Sequence, residues 1–484
     1  MNQTKHFYYA VASYLLITLL LLPLFKYNIN PDGIMYIMIS EKFYNLNFAE
    51  AINGCWGPLF PWLIIPSFVI GIEPVLYIKF LFLIIGVLLF FIVKKYADKF
   101  LPEERYHYLL YYSLVPLIVY FTYWVLCPDY ILLLLLLYYT FLVFREDFLE
   151  KKSSSLLIGV LGALMYLTKA YGFPFFLLHF FIFALLKLWR TSSFERKKIF
   201  SNAFITLLIF TIISGTWIGL IYNKYGELTI STTGKFNQAF VHPESYYSHQ
   251  YLKKGLVEIP SPNAITALED PSMYEAKTWS PFSSIDYFLY QLKLIGKNSL
   301  KLLLYTFFFT PFYLLIFFNF KKIKRDKFLV NAFISFLAYV SGYLLLFFET
   351  RYVWFPLIIM LMITFKIYTN LVVQSENKKK IVLILSLLFI LSTLPISVYA
   401  LYSKYEYGET EYKISEELKK ENVAGRIASN KQGMETLYVA YYLKSKFLGN
   451  ENRSLNEPDF REKLQQFNID YFLVWNEPDY QTDM

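Results

Sequence analysis

The chain has 484 residues, of which 56% are hydrophobic, 20% aromatic and only 17% charged, with a mean hydropathy of +0.40. Soluble domains carry about a quarter of charged residues, so this composition excludes a soluble enzyme, a disordered chain and a coiled coil. The formal charge of +9 sits in short loops between apolar runs, where it reads as an orientation signal and not as a nucleic-acid surface.

Apolar runs of about 17 to 25 residues predict spanning helices. They fall at 7–26, 75–93, 107–126, 129–145, 155–170, 172–189, 200–222, 300–320, 328–348, 352–373 and 380–402, eleven in all. The first is followed by Leu24-Phe25-Lys26-Tyr27 and by no small-residue cleavage site, so it reads as a retained span. Pro58 to Gly71 is also apolar but short and broken by Pro61 and Pro66, which predicts an interfacial helix.

The basic residues orient these spans. With the N-terminus inside, the inner loops collect Lys94, Lys95, Lys99 and Arg105, then Arg145, Lys151 and Lys152, then Lys187, Arg190, Arg196, Lys197 and Lys198. Lys321, Lys322, Lys324, Arg325, Lys327, Lys378, Lys379 and Lys380 complete the set, whereas the short outer loops hold only Lys26, Lys42, Lys169 and Arg351. A span at 58–71 would reverse every later loop. The expected fold is therefore an all-α polytopic membrane domain over residues 1–402, N-in and C-out, with long outer loops at 27–57 and 223–299. Within the second loop, 285–295 reads as an amphipathic helix on the membrane surface. The polar tail, 403–484, reads as a small α/β domain: helix 412–421, strand 425–429, helices 436–447 and 459–467, strand 469–474.

Charges at a membrane face that are not loop positives point to function. Asp32 stands in Asn30-Pro31-Asp32-Gly33, a tight turn just past the first span; it either caps the next helix or presents its carboxylate at the outer surface. Asp129 follows Cys127-Pro128 in a very short outer connection and is likewise a helix cap or one of a carboxylate pair. Lys169 and Arg351 are cations on the side where positives are rare. Each is a snorkelling anchor, or for Arg351 an exposed partner of Glu349, or else a phosphate clamp. Tyr36, Glu41, Trp56 and Tyr352 flank these motifs and are supporting candidates. His242 and His249 read as solvated loop residues. Cys55 and Cys127 both fall outside, where a disulfide between them is possible. Two cysteines offer no metal-ligand spacing, so no metal site or cofactor is assigned and a divalent ion is left open.

The order of motifs carries a resemblance. An N-in span, an outer Asp motif, a Pro-rich interfacial helix, a Pro-Asp entering span four, Gly162-x-x-x-x-Leu167-Thr168-Lys169, and an Arg351-Tyr352…Pro356 segment opening a late span follow one another. This order resembles the C-type integral-membrane glycosyltransferases, in the branch holding the protein O-mannosyltransferases and the lipid A aminoarabinose transferases, most strongly over residues 1–190 and 345–373. The resemblance implies a polyprenyl- or dolichyl-phosphate sugar donor, inversion at the anomeric centre, and an active site on the non-cytoplasmic face of the plasma (inner) membrane. It implies that Asp32 is the first-loop carboxylate that acts as base on, or orients, the acceptor hydroxyl. It implies that Asp129 is the second functional carboxylate and that Lys169 and Arg351 lie near the donor phosphate. One departure stands out: the mannosyltransferases show Asp-Glu where this chain has Asp32-Gly33, and Glu41 is the next acid. The expected partners are the lipid-linked donor, membrane lipid, and an acceptor that is protein, lipid or glycan, with no nucleic acid. Two other readings stay open: an envelope-polysaccharide polymerase or ligase acting on lipid-linked glycans, and a lipid or solute transporter.

Overall fold

Inside lipid no water satisfies a peptide group, so apolar runs close their hydrogen bonds as helices. The computed structural model describes residues 3–101, 103–244, 255–275, 277–319, 325–374 and 377–475. His249, Lys321, Lys322, Lys324 and the tail beyond 475 lie outside the described residues. The first half runs α1 (Gln3–Phe25), α2 (Pro31–Tyr44), α3 (Phe48–Ala51), α4 (Leu59–Ile70), α5 (Pro74–Phe100), α6 (His107–Trp124), α7 (Asp129–Phe144), α8 (Lys152–Thr168), α9 (Gly172–Arg190) and α10 (Ser193–Tyr225). After α11 (Thr233–Phe240) and β1 (Gly255–Leu256) come α12 (Ile285–Tyr305), α13 (Thr310–Phe318), α14 (Lys327–Leu345), α15 (Trp354–Gln374) and α16 (Lys378–Tyr402). The tail adds α17 (Glu409–Lys420), β2 (Arg426–Ser429), α18 (Gly433–Tyr442), β3 (Lys446–Asn450), α19 (Pro458–Gln466) and β4 (Tyr471–Leu473).

Among the described residues, seven helices are long and apolar enough to cross a membrane: α1, α5, α9, α10, α14, α15 and α16. The shorter α4, α7 and α8 are apolar too. The chain is a multi-pass membrane protein. One expected span is not a single helix: the run 300–320 divides between the end of α12 and α13. Pro311 stands in the first turn of α13, where a proline is tolerated but cannot extend the helix before it. The Thr306 hydroxyl closes the break, bonding to the Leu302 carbonyl at 2.7 Å and to the Tyr313 hydroxyl at 2.7 Å. The amphipathic segment 285–295 is accordingly the first half of the 21-residue α12 and no separate helix.

Polar contacts define the two ends of the bundle. At one end Lys366 donates to the Phe100 carbonyl (2.9 Å) and pairs with Asp326 (3.0 Å), while Asn202 donates to the Leu149 carbonyl (2.8 Å). Lys94, Arg145, Lys151, Lys187 and Lys327 belong to helix ends and turns on this side. At the other end the long loops meet. Asn28 donates to the Tyr123 carbonyl (2.8 Å) and Trp56 to the Leu268 carbonyl (3.1 Å). Lys42 is buried between Glu50 (3.2 Å) and Glu269.

The strands form one sheet in the order β1-β3-β2-β4, with β2 parallel to both neighbours and β1 antiparallel to β3. The loop between α10 and α12 thus lends an edge strand to the tail. The expected helix 436–447 stops at Tyr442 because Lys444 turns into the left-handed region (φ 53°), and 446–450 becomes β3 against β2. The tail also rests on the bundle: Tyr412 stacks on Tyr27 (4.4 Å) and the Tyr441 hydroxyl meets the Glu73 carboxylate at 3.3 Å.

Candidate functional site

Asp32 occupies the first turn of α2, one residue after Pro31. Its carboxylate accepts from Arg351 Nη1 at 2.7 Å. Asp129 opens α7, with Pro128 at the cap position, so it does not cap the helix by its side chain. It accepts from Lys169 Nζ at 2.6 Å and lies 3.7 Å from Arg351 Nε. The four charges form a chain, Lys169–Asp129–Arg351–Asp32. Its Asp129 end is 3% exposed and its Asp32 end 30%, so the carboxylates differ in access to solvent. Arg351 pairs with Asp32 and not with its neighbour Glu349, and Lys169 turns inward to a carboxylate instead of snorkelling outward.

Four separate stretches of sequence supply this cluster, and small residues let them approach. A Cβ on Gly33 would stand 2.7 Å from Leu126 Cβ and 3.1 Å from the Leu126 carbonyl oxygen, closer than van der Waals contact allows. The Asn30 side chain accepts from the Leu126 amide at 2.8 Å. Asn30 and Gly33 therefore press the start of α2 onto the 125–128 turn that carries Asp129. A larger side chain at position 33 would collide with Leu126. Gly57 makes a second close approach, with its hypothetical Cβ 2.6 Å from the carbonyl oxygens of Leu167 and Thr168, immediately before Lys169.

Aromatic rings enclose the charges. Tyr352 stacks on Tyr343 at 4.1 Å, and Lys169 Nζ stands 4.0 Å above the Tyr352 ring. Burial opposes the Lys169 ammonium, but the Asp129 carboxylate beside it outweighs that cost and holds its pKa above the ordinary lysine range. Tyr36 is buried and packs edge-on against Trp56 at 5.2 Å. Burial, followed by the Asp32 and Asp129 charges, pushes its phenol well above ten, so it stays protonated. Glu41 does not join. It lies nine residues along α2 from Asp32, roughly 14 Å at 1.5 Å per residue.

Sequence reasoning missed three contributors. Tyr343 comes from the apolar α14, where nothing local distinguishes it from a core tyrosine. The pairs Lys42–Glu269 and Lys224–Asp270 (3.0 Å) tie the first loop and α10 to the second loop. The only local signal was the adjacent acids Glu269-Asp270 in a Pro-rich stretch. His242 is buried, its Nδ1 accepting from the Glu244 amide at 3.0 Å. Cys55 and Cys127 are both free thiols. Among the described residues no group of three or more His, Cys, Asp or Glu side chains is arranged to hold a metal ion.

No family model matches the chain, and no curated protein matches it in sequence. Solved structures do match in fold. The oligosaccharyltransferase of Archaeoglobus fulgidus in its apo form aligns over 96% of this chain and 69% of its own, at 10% identity and a TM-score of 0.51. ArnT from Cupriavidus metallidurans in the apo state aligns over 94% of this chain and 88% of its own, at 12% identity and a TM-score of 0.50. The chain has the GT-C fold. The structure of ArnT bound to undecaprenyl phosphate aligns at 12% identity over 96% of this chain and 88% of its own, with a TM-score of 0.49; the likeness rests on the other two. At such identities it is one of fold, that of GT-C membrane glycosyltransferases.

Proposed function

We propose that this protein is an inverting glycosyltransferase that moves a sugar from a polyprenyl-phosphate donor to an acceptor at the non-cytoplasmic face of the membrane. The observation that carries the reading is the Lys169–Asp129–Arg351–Asp32 chain in a GT-C fold, with two cations and two carboxylates within hydrogen-bond or ion-pair reach. The orientation is supported by the charge bias, because the basic turns lie at the opposite end of the bundle from this cluster.

The chemistry asks for a base at the nucleophile and a cationic clamp on the leaving phosphate. Asp32, the more exposed carboxylate, takes the proton of the acceptor hydroxyl as its oxygen bonds to the anomeric carbon. The bond from that carbon to the phosphate oxygen breaks on the opposite side, which inverts the centre, and its electron pair leaves with the phosphate. Lys169 and Arg351 take up the developing charge. A phosphate at Arg351 competes with Asp32 for one guanidinium, so donor binding frees the carboxylate to act as base. Asp129, buried between the two cations, fixes their positions.

The test is transfer to endogenous acceptor in membranes, together with mass spectrometry of lipid that co-purifies with the protein. Asp32→Asn is expected to lower transfer by about 100-fold or more, the usual weight of general-base catalysis. A polyprenyl phosphate should accompany the wild type and be lost from a Lys169→Ala, Arg351→Ala double variant. Near-normal transfer by Asp32→Asn refutes the base assignment, and bulk phospholipid alone in both samples refutes the donor.

A further inference from the structure

A cavity of about 440 Å³ opens between the two long loops, lined by Cys55, Lys224, Tyr225, Thr232, Phe236 and Ser272 among others. Resting on the transferase reading above, we infer that this cavity is the acceptor subsite and that it takes an uncharged sugar ring. Its size lies within the range of small-molecule sites.

Position is the first argument. The segment 53–57 forms one wall and is laced to the others. The Gly54 amide donates to the Tyr225 hydroxyl (3.1 Å), Ser231 Oγ to the Gly54 carbonyl (2.7 Å) and Thr233 Oγ1 to the Cys55 carbonyl (2.6 Å). The same segment borders the ion-pair cluster. Trp56 packs on Tyr36, and Gly57 presses on the carbonyls just before Lys169. The remaining walls come from the end of α10 and the loop beyond it, the side from which an acceptor approaches without crossing the bilayer.

Chemistry is the second argument. Lys224 is neutralised by Asp270 at 3.0 Å, and Lys235 at the mouth by Glu227 at 2.6 Å. With both lysines paired, a phosphate or carboxylate on the ligand gains little. A ligand with hydroxyls finds donors and acceptors side by side, including the Thr232 and Ser272 hydroxyls 2.6 Å apart. The Tyr225 ring, with Lys224 Nζ 5.3 Å from its centroid, and the Phe236 ring give the cavity an aromatic wall suited to the C–H side of a pyranose.

The full chain in a sugar-free amphipol, probed by saturation-transfer NMR with neutral methyl hexopyranosides and with methyl glucuronide, tests this. Neutral glycosides should give signal with wild type, and Phe236→Ala should reduce it at least five-fold. Thr232→Val, which keeps the side-chain volume, should weaken the same signal if Phe236→Ala fails to fold. In the transfer assay Phe236→Ala should raise the acceptor KM about ten-fold. Signal that ignores both variants, stronger signal from the glucuronide, or an unchanged acceptor KM overturns the subsite even if transfer occurs. Glycoside binding with no transfer to any acceptor overturns the transferase reading and leaves the sugar site standing. Octyl glycosides binding more tightly than methyl ones assign a glycolipid head group, equal binding a soluble glycan; both support the ring.

Discussion

Replacing Asp129 by asparagine separates a coupled buried charge from a surface one. Asp129 is 3% exposed and bonded to Lys169 at 2.6 Å, and Lys169 itself is only 19% exposed. Removing one partner of a buried pair costs about 3–5 kcal/mol, because the other charge stays behind without compensation. Asparagine keeps the shape and one acceptor oxygen, which places Asp129→Asn near the lower end, about 3 kcal/mol. Adding Lys169→Met removes the stranded ammonium, and exchanging a whole buried pair for apolar groups is often close to neutral. The double variant should therefore melt near the wild type although each single change lowers the melting temperature. Intrinsic fluorescence of the eight tryptophans during heating of the purified protein measures this. Transfer should stay low in the double variant, since stability returns without the cation. If Asp129→Asn melts with the wild type, or the two losses simply add, the pair is not coupled and the reasoning fails.

Two further outcomes follow from particular contacts. Gly33→Ala places a Cβ 2.7 Å from that of Leu126, so the start of α2 must shift; overpacking of this kind costs about 1–3 kcal/mol. Transfer should fall sharply with Asp32 untouched, and unchanged transfer would show that α2 and the 125–128 turn need not touch. Glu50 gives a pH signature. Burial opposes its charged form, but hydrogen bonds involving Ser261, Asn47 and Lys42 outweigh this and hold the carboxyl down to about 2. Its folded pKa lies below the unfolded value, so its contribution is present above the usual glutamate range and is lost as pH falls from about 4.5 toward 2. Limited proteolysis of the loop junction should rise across that window in the wild type and show a smaller pH-dependent rise in Glu50→Gln. Parallel curves would refute the role of Glu50.

The charges at the candidate site were legible because each breaks a local rule. Asp32 and Asp129 are acids, and Lys169 and Arg351 bases, where an apolar run meets an outer turn, and such exceptions are visible within a few residues. Tyr343 was not legible, since a tyrosine in an aromatic-rich span looks like packing until Tyr352 is seen stacked on it.

Hydropathy and charge bias by themselves determined a polytopic membrane chain, because the bilayer acts on each segment alone: it requires length, apolarity and internal hydrogen bonding of every span. They also named the four charges. Only the tertiary structure decided how these charges pair, since Arg351 meets a carboxylate 319 residues away and no local pattern encodes that distance. The same holds for β3, whose five residues become a strand only against β2 and the edge strand β1 from the second long loop. Gly33 spans both levels: the sequence shows a glycine after Asp32, and the 2.7 Å approach of Leu126 shows that a larger side chain would collide there.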